Sequence, residues 1–339
     1  GGTLLFALSH SLAIAAICRF ITGIGSAFCF LSCVRLASRW FDPRRMALVT
    51  GLVITMAMLG GMVAQAPLTL LAQAIGWRPA LCVNAALGVI IILIVWKCVQ
   101  DFPAGHEEHH HAEQQALQSL GFWRAQRMAF LRVQNWLAGL YTCFLNLPVS
   151  LLGALWGNTY LQQVRHLTAA DASYVTSMIF LGIVIGSPTA GWLSDRLALR
   201  KLPMLVGGLL GLGVVLTIIY ATNLSLTQLV LLFWVLGFVT STQIISYPTI
   251  AESNPSFLTA TSVSVVSICA IGGYAVFQPL FGRLMDWHWK GQMLGNLRIY
   301  SAGDYQFAIL IMPIAFLIGI IAASFLKETH CRTKSAQSH

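Results

Sequence analysis

Charge is what this sequence lacks most. Only 9% of its 339 residues are Asp, Glu, Lys or Arg, against 57% apolar, and the mean hydropathy is +0.75. So little polar surface excludes a water-soluble domain of this size. Acidic residues are scarcest, 11 in all, and none lies in the middle of an apolar run. That argues against a membrane enzyme, which needs acid, base or metal groups converging at one depth. The 8 cysteines lack metal-ligand spacing and sit mostly inside apolar runs (Cys18, Cys29, Cys33, Cys82, Cys143, Cys269), as small, soft packing residues do. No cleavable signal peptide is expected from these residues. The chain starts without Met, inside an apolar stretch, so its N-terminus is expected to be incomplete.

What is present is a series of apolar runs, each long enough to cross a bilayer, which takes ~20 helical residues. They fall at approximately 12–37, 45–73, 77–99, 135–160, 172–193, 203–222, 227–249, 258–281 and 305–326, and residues 1–9 read as the tail of a further span. Lipid requires backbone groups to be satisfied within each segment, so the chain is read as a polytopic helical membrane protein. The net charge of +9 follows the positive-inside rule: if the loop after the first full span is cytoplasmic, fourteen of the 20 Lys and Arg lie inside. Five lie outside (Arg78, Arg165, Arg283, Lys290, Arg298) and Arg19 lies within a span. The C-terminus is then cytoplasmic, and no nucleic-acid surface is needed to explain the charge. The outer loop from about 282 to 304, with three basic residues, is an exception.

A long-range repeat orders these spans. DPRRMALVTGLVITMAMLGGMVAQAP from Asp42 aligns without a gap on NPSFLTATSVSVVSICAIGGYAVFQP from Asn254, an offset of 212 residues. Pro43 meets Pro255, Gly60 and Gly61 meet Gly272 and Gly273, Pro67 meets Pro279, and Gly25 meets Gly237. Six crossings separate the copies, so both enter the membrane from one side as a parallel repeat. Each copy is expected to begin with a helix-start proline after an Asp or Asn cap. Each glycine pair is expected where neighbouring helices pack closely.

Residues 191–201, GWLSDRLALRK, resemble the signature of the major facilitator superfamily, G-x-L-x-D-R-x-G-R-[RK], between that family's eighth and ninth helices. Gly191, Leu193, Asp195, Arg196 and Arg200 match, whereas Ala198 and Leu199 stand where Gly and Arg are usual. Arg19, Gly23 and Gly25 resemble the R-x3-G-x-G motif of its fourth helix, RWFDPRRMALVTG its helix 4–5 loop, and GWRPAL its entry to helix six. The resemblance implies an all-α fold of two pseudo-symmetric six-helix bundles, and the offset implies that helices one, two and most of three, roughly 70–90 residues, are missing. The expected organisation is an incomplete N-terminal bundle at 1–100, a cytoplasmic linker with an amphipathic segment at 101–132, a C-terminal bundle at 133–328 and a tail at 329–339. The resemblance also implies that Gly191, Asp195, Arg196 and Arg200 form a latch that breaks as the halves rock. Read from the residues alone, the same charges suit a solvated loop.

Candidate solute-binding residues are polar groups inside spans. Arg19 either faces a cavity or snorkels to the outer edge. Thr142, Asn146, Ser150, Gly153, Gly157 and Tyr160 recur at helical spacing. Gln65, Gln243, Tyr247, Tyr274 and Gln278 mark other spans. Ser and Gly here suit helix packing, whereas Asn146, Gln243 and Gln278 are costlier to leave unpaired and suit either packing or a cavity wall. HEEHHH at 106–111 matches no defined metal site and reads as a solvated linker, so no metal is expected. FWRAQRMAFLR suits an amphipathic helix on the inner membrane surface. The resemblance implies a monomeric secondary transporter of the inner membrane, driven by a proton or ion gradient and without a cofactor. Its partners would be a small solute and lipid, not nucleic acid. LGGMVAQAPL departs from the Gly-Pro-rich motif of the family's antiporters, which leans towards uptake of a metabolite such as an amino acid, nucleoside or organic acid. Drug or siderophore efflux, or a transport-inactive product, remain open.

Overall fold

Helix follows from the medium, since the apolar runs leave the backbone no water to bond and each must close its own hydrogen bonds. The computed structural model of the chain describes residues 1–9, 11–42, 45–100, 121–221, 223–255, 258–289, 291, 293–294, 297–298, 300–332, apart from the side chains of 31, 38, 61–70, 73 and 122. The helices are α1 (Gly2–Leu8), α2 (Leu12–Trp40), α3 (Met46–Ile75), α4 (Trp77–Cys98), α5 (Phe122–Leu131), α6 (Val133–Leu145) and α7 (Gly157–Val164). They continue as α8 (Ala169–Leu197), α9 (Lys201–Tyr220), α10 (Leu226–Thr240), α11 (Ser246–Ser253), α12 (Thr259–His288), α13 (Ala302–Ile309) and α14 (Ile311–Ser324). A two-residue antiparallel pair, β1 (Met293–Leu294) with β2 (Leu297–Arg298), lies between α12 and α13. Among the described residues, eight segments are long and apolar enough to cross a membrane.

The chain forms two compact units. One comprises Gly1–Trp40 with Leu59–Ala112, the other Phe41–Met58 with Glu113–His339. In the smaller unit, a Cβ on Gly2 would lie 2.5 Å from Thr22 Oγ1, and Arg78 Nη2 donates to Ser9 O at 3.1 Å. Ile91, Ile92, Leu93 and Ile94 of α4 are each more than half exposed, an apolar surface fit for lipid rather than water.

The larger unit is more densely packed. Gly182 and Gly237 let α8 and α10 cross backbone to backbone. A Cβ on Gly237 would stand 2.0 Å from Ile179 O, and one on Gly182 2.2 Å from Trp234 O. Small residues at such crossings are the usual means of helix association in membranes. Tyr141 is fully buried and donates to Met204 O at 2.7 Å, pinning α6 to α9. Three spans are broken near a proline, which removes one helical N–H. α6 ends at Leu145, before Pro148, and continues as a π turn over Val149–Gly153; α10 passes into α11 through a 3-10 turn at Ser241–Ile245, just before Pro248; α13 gives way to α14 at Leu310, before Pro313.

The repeat does not reproduce its packing. Gly273 is tight against Cys143 Sγ, at 2.5 Å from an added Cβ, whereas Gly60, Gly272 and Gly25 face open space. The glycine pairs are therefore not close-contact points as a set. The side chains of Gly61 and Pro67, and residue Pro43, lie outside the described residues. α12 begins at Thr259 with Leu258 as N-cap, and the Leu258 amide donates to Pro255 O at 2.9 Å; residues 256 and 257 between them lie outside the described residues. Asn254 donates its Nδ2 to Ile250 O (2.8 Å) and Asn135 Oδ1 (3.0 Å), and its Oδ1 accepts from Arg132 Nη1 at 3.0 Å. Pro279 lies inside α12, which runs on through it. The loop after α12 holds part of its basic charge in a pair, Arg298 to Asp286 at 2.6 Å. α5 buries Ala125 and Ala129 and exposes Trp123, Arg124 and Arg127, the division of an amphipathic surface helix. The 106–111 stretch lies outside the described residues.

Candidate functional site

Two polar constellations stand out, both inside the larger unit. The first is where the broken spans meet. Asn146 follows the last residue of α6, and Gln243 lies in the 3-10 turn after α10. Gln243 Nε2 donates to Asn146 Oδ1 at 3.1 Å, and Asn146 Nδ2 donates to Tyr274 Oη on α12 at 2.5 Å. One turn along α12, Gln278 Nε2 donates to Ser150 O at 3.3 Å, an oxygen of the π turn. The helix breaks thus place three large polar side chains in one hydrogen-bonded relay. Gln243 is 6% exposed, and its Oε1 is buried with no hydrogen-bond partner among the described residues. An unmet buried acceptor costs about 1–3 kcal/mol, so this one is a natural contact for an incoming donor. Tyr247 is buried in α11. Thr142 and Ser150 are buried and return their hydroxyls to backbone carbonyls of their own helix segment, Ala138 O and Leu147 O, as packing residues do.

Two other expected cavity residues, Arg19 and Gln65, belong to the smaller unit. The exposed guanidinium of Arg19 lies 4.5 Å from the ring centre of Phe6. Gln65 is on α3, and its side chain lies outside the described residues.

The second constellation is an ion cluster around Arg200, which is fully buried. Its Nη2 donates to Glu252 Oε1 at 2.6 Å and its Nε to Glu252 Oε2 at 3.3 Å, a two-pronged grip. Its Nη1 donates to Asp195 Oδ1 at 2.6 Å and to Ser194 Oγ at 2.9 Å. Burial pushes the guanidinium towards losing its proton, but Glu252 and Asp195 outweigh that and raise its pKa. The other oxygen of Asp195 accepts the amide of Leu48 at 3.1 Å, in the first turn of α3. An anion there accepts a first-turn amide and complements the positive end of the helix. Gly191 permits the approach, since a Cβ on it would lie 2.4 Å from Ala47 O. The two signature residues Gly191 and Asp195 therefore serve one contact.

Arg196 does not pair with Asp195. It is exposed and stacks over Trp192 at 5.1 Å. The chain instead turns back through Ala198, at φ 51°, with Ala198 and Leu199 amides bonded to Asp195 O and Ser194 O. That left-handed position is the one where a glycine is favoured. Sequence reasoning missed Glu252 and Glu328 as partners of Arg200. Their signal was scarcity, since each is one of only 11 acidic residues and each lies just beyond an apolar run.

A membrane-spanning helical fold with this ion cluster at one helix junction points to a class, that of multi-pass carriers and their relatives. Residues 1–270 match the family profile of the Major Facilitator Superfamily, and the chain belongs to that family. It is similar to the probable sulfoacetate transporter SauU of Cupriavidus necator, 23% identical over 235 residues, covering 66% of this chain and 54% of that protein. It is also similar to the membrane sensor protein UhpC of Escherichia coli, 25% identical over 315 residues, covering 87% of this chain and 68% of that protein. A third relative is monocarboxylate transporter 12 of Rattus norvegicus, 24% identical over 203 residues, covering 53% and 41% of the two chains. The chain thus spans about half the length of the first of these relatives.

Proposed function

We propose that the chain belongs to a secondary active transporter that moves a small polar solute across the membrane by alternating access, in the uptake direction and coupled to protons. The observation that carries this is the Gln243–Asn146–Tyr274 relay at proline-associated breaks in the spans. Broken helices with polar groups at membrane depth are how carriers of several folds build solute sites. The relay is uncharged, so it suits a solute or solute portion recognised by hydrogen bonds, as in amino acids, nucleosides and hydroxylated organic acids. Two of the three relatives are named transporters, one of sulfoacetate and one of monocarboxylates. The departure of LGGMVAQAPL from the antiporter motif favours import. The driving force is a proton gradient rather than a cofactor, and the protein works as a monomer in the inner membrane with its C-terminus in the cytoplasm.

A second reading has one specific support, the similarity to UhpC, which is named a sensor. A sensor would bind solute at the same relay without net flux. Uptake of radiolabelled metabolites into cells expressing the gene, with and without a protonophore, separates the two. A transporter accumulates at least one solute and loses the accumulation with the protonophore. Saturable binding to purified protein without accumulation of any bound solute would favour the sensor.

A further inference from the structure

The segment that follows α14 is tied down at every step. Gln134, in the first turn of α6, grips its root with both ends of the amide. Its Nε2 donates to Phe325 O at 3.2 Å, and its Oε1 accepts from Lys327 N at 2.9 Å. Glu328 then accepts the backbone amides of Arg200 at 2.7 Å and Lys201 at 2.8 Å, where α9 begins. Thr329 Oγ1 donates to Glu252 Oε2, the same oxygen that accepts Arg200 Nε. Lys201 Nζ reaches back to Ser324 O. His330 and Cys331 follow with φ of 51° and 56°, two successive non-glycine residues in the left-handed region, and Cys331 is buried. Such a backbone persists only where surrounding contacts hold it.

These bonds continue into the latch without a gap. Gln134 holds the root, Glu328 and Thr329 hold Arg200 and Glu252, Arg200 holds Asp195, and Asp195 holds the first turn of α3. The charges support the same grouping. Three carboxylates (Asp195, Glu252, Glu328) face Arg200, Lys201 and the positive ends of α3 and α9. The backbone amides overcome the effect of burial and hold Glu328 below the usual carboxylate range, so it is ionised at neutral pH.

We propose that residues 325–332 are a strap that positions Arg200 and Glu252 and thereby sets how firmly Asp195 holds the start of α3. Glu328 and Thr329 are its positioning residues. Loosening the strap loosens the latch, so the C-terminus is a control point for the rearrangement the latch restrains. The inference rests on contacts within the larger unit and is independent of whether the protein transports or senses.

The amides of Ala47 and Leu48 provide a remote reporter. They lie in the first turn of α3 and donate to the Asp195 carboxylate, Leu48 at 3.1 Å, so their protection reports on how firmly Asp195 is held. Hydrogen–deuterium exchange resolved at these two amides would be compared in lipid nanodiscs for the wild type, Thr329→Val, Thr329→Ser and Glu328→Ala. Thr329→Val and Glu328→Ala should each raise their exchange threefold or more, while Thr329→Ser, which keeps the hydroxyl, should match the wild type. Exchange that changes only within 325–332, or a serine variant that behaves like the valine one, would overturn the proposal. Thr329 is partly exposed, so its two variants decide the matter even if Glu328→Ala lowers yield.

Discussion

Glu252→Ala is the most severe single change the latch should register. Arg200 is fully buried, Glu252 is 3% exposed, and the pair meets through a 2.6 Å and a 3.3 Å hydrogen bond. Removing the carboxylate strands the Nε and Nη2 sides of a guanidinium away from water. Breaking a buried pair in this way costs about 3–5 kcal/mol. At about 2–4 °C per kcal/mol for a unit of this size, the melting temperature should fall by about 6–20 °C. Glu252→Gln keeps one acceptor oxygen for the two guanidinium donors and sets its own amide N–H2 against the other, so it should lose less than Glu252→Ala but stay well below the wild type. Arg200→Met combined with Glu252→Leu removes both charges and should regain part of the loss, because apolar residues of similar volume need no partner whereas Asp195 Oδ1 then lacks its cation. Thermal unfolding in detergent, followed by intrinsic fluorescence for the two singles and the double, gives the coupling directly. A double variant that loses the sum of the two singles would refute a mutually compensating buried pair.

Further outcomes follow from other residues. Ala198→Gly should raise stability by about 1 kcal/mol, because glycine occupies the left-handed region without the Cβ clash that alanine carries at φ 51°; an unchanged or lowered melting temperature in the same assay would contradict this. Reporter fusions at Arg45, His110, Lys201 and Lys334 should read as cytoplasmic and those at Trp77, Thr168 and Asn223 as external, following the distribution of basic residues. An external His110 would overturn the assignment of sides.

Much of the fold was legible because lipid imposes one rule on every span. Each apolar run of about 20 residues became a helix or a broken helix, with ends shifted by a few residues. The breaks were harder to read. Pro148, Pro248 and Pro313 lie beside interruptions, yet Pro188 and Pro279 sit within continuous α8 and α12. Whether a freed carbonyl bends the helix depends on neighbours that one segment does not reveal. At the latch, Gly191 and Asp195 were legible from their motif, but the adjacent pair Asp195-Arg196 was misleading. Successive helical residues point about 100° apart, so Asp195 reaches past Ala198 to Arg200 instead. Glu252 and Glu328 are 52 and 128 residues from Arg200 in sequence, and no periodicity connects them. Asn146, Gln243 and Tyr274 of the relay, and Gln278 beside it, were legible as large polar groups inside spans. Their mutual bonds were not, because they depend on how the broken helices meet.

The central claim is that the relay touches a transported solute, and Asn146 is its middle member. Asn146→Leu keeps the side-chain volume and removes both relay bonds. The decisive measurement is uptake of an accumulated solute by cells carrying the wild type or Asn146→Leu, normalised to protein in the membrane. The account predicts normal abundance with uptake reduced tenfold or more, the loss expected from about 1.4 kcal/mol of hydrogen bonding. Unchanged uptake, or uptake that falls only in step with abundance, would contradict it.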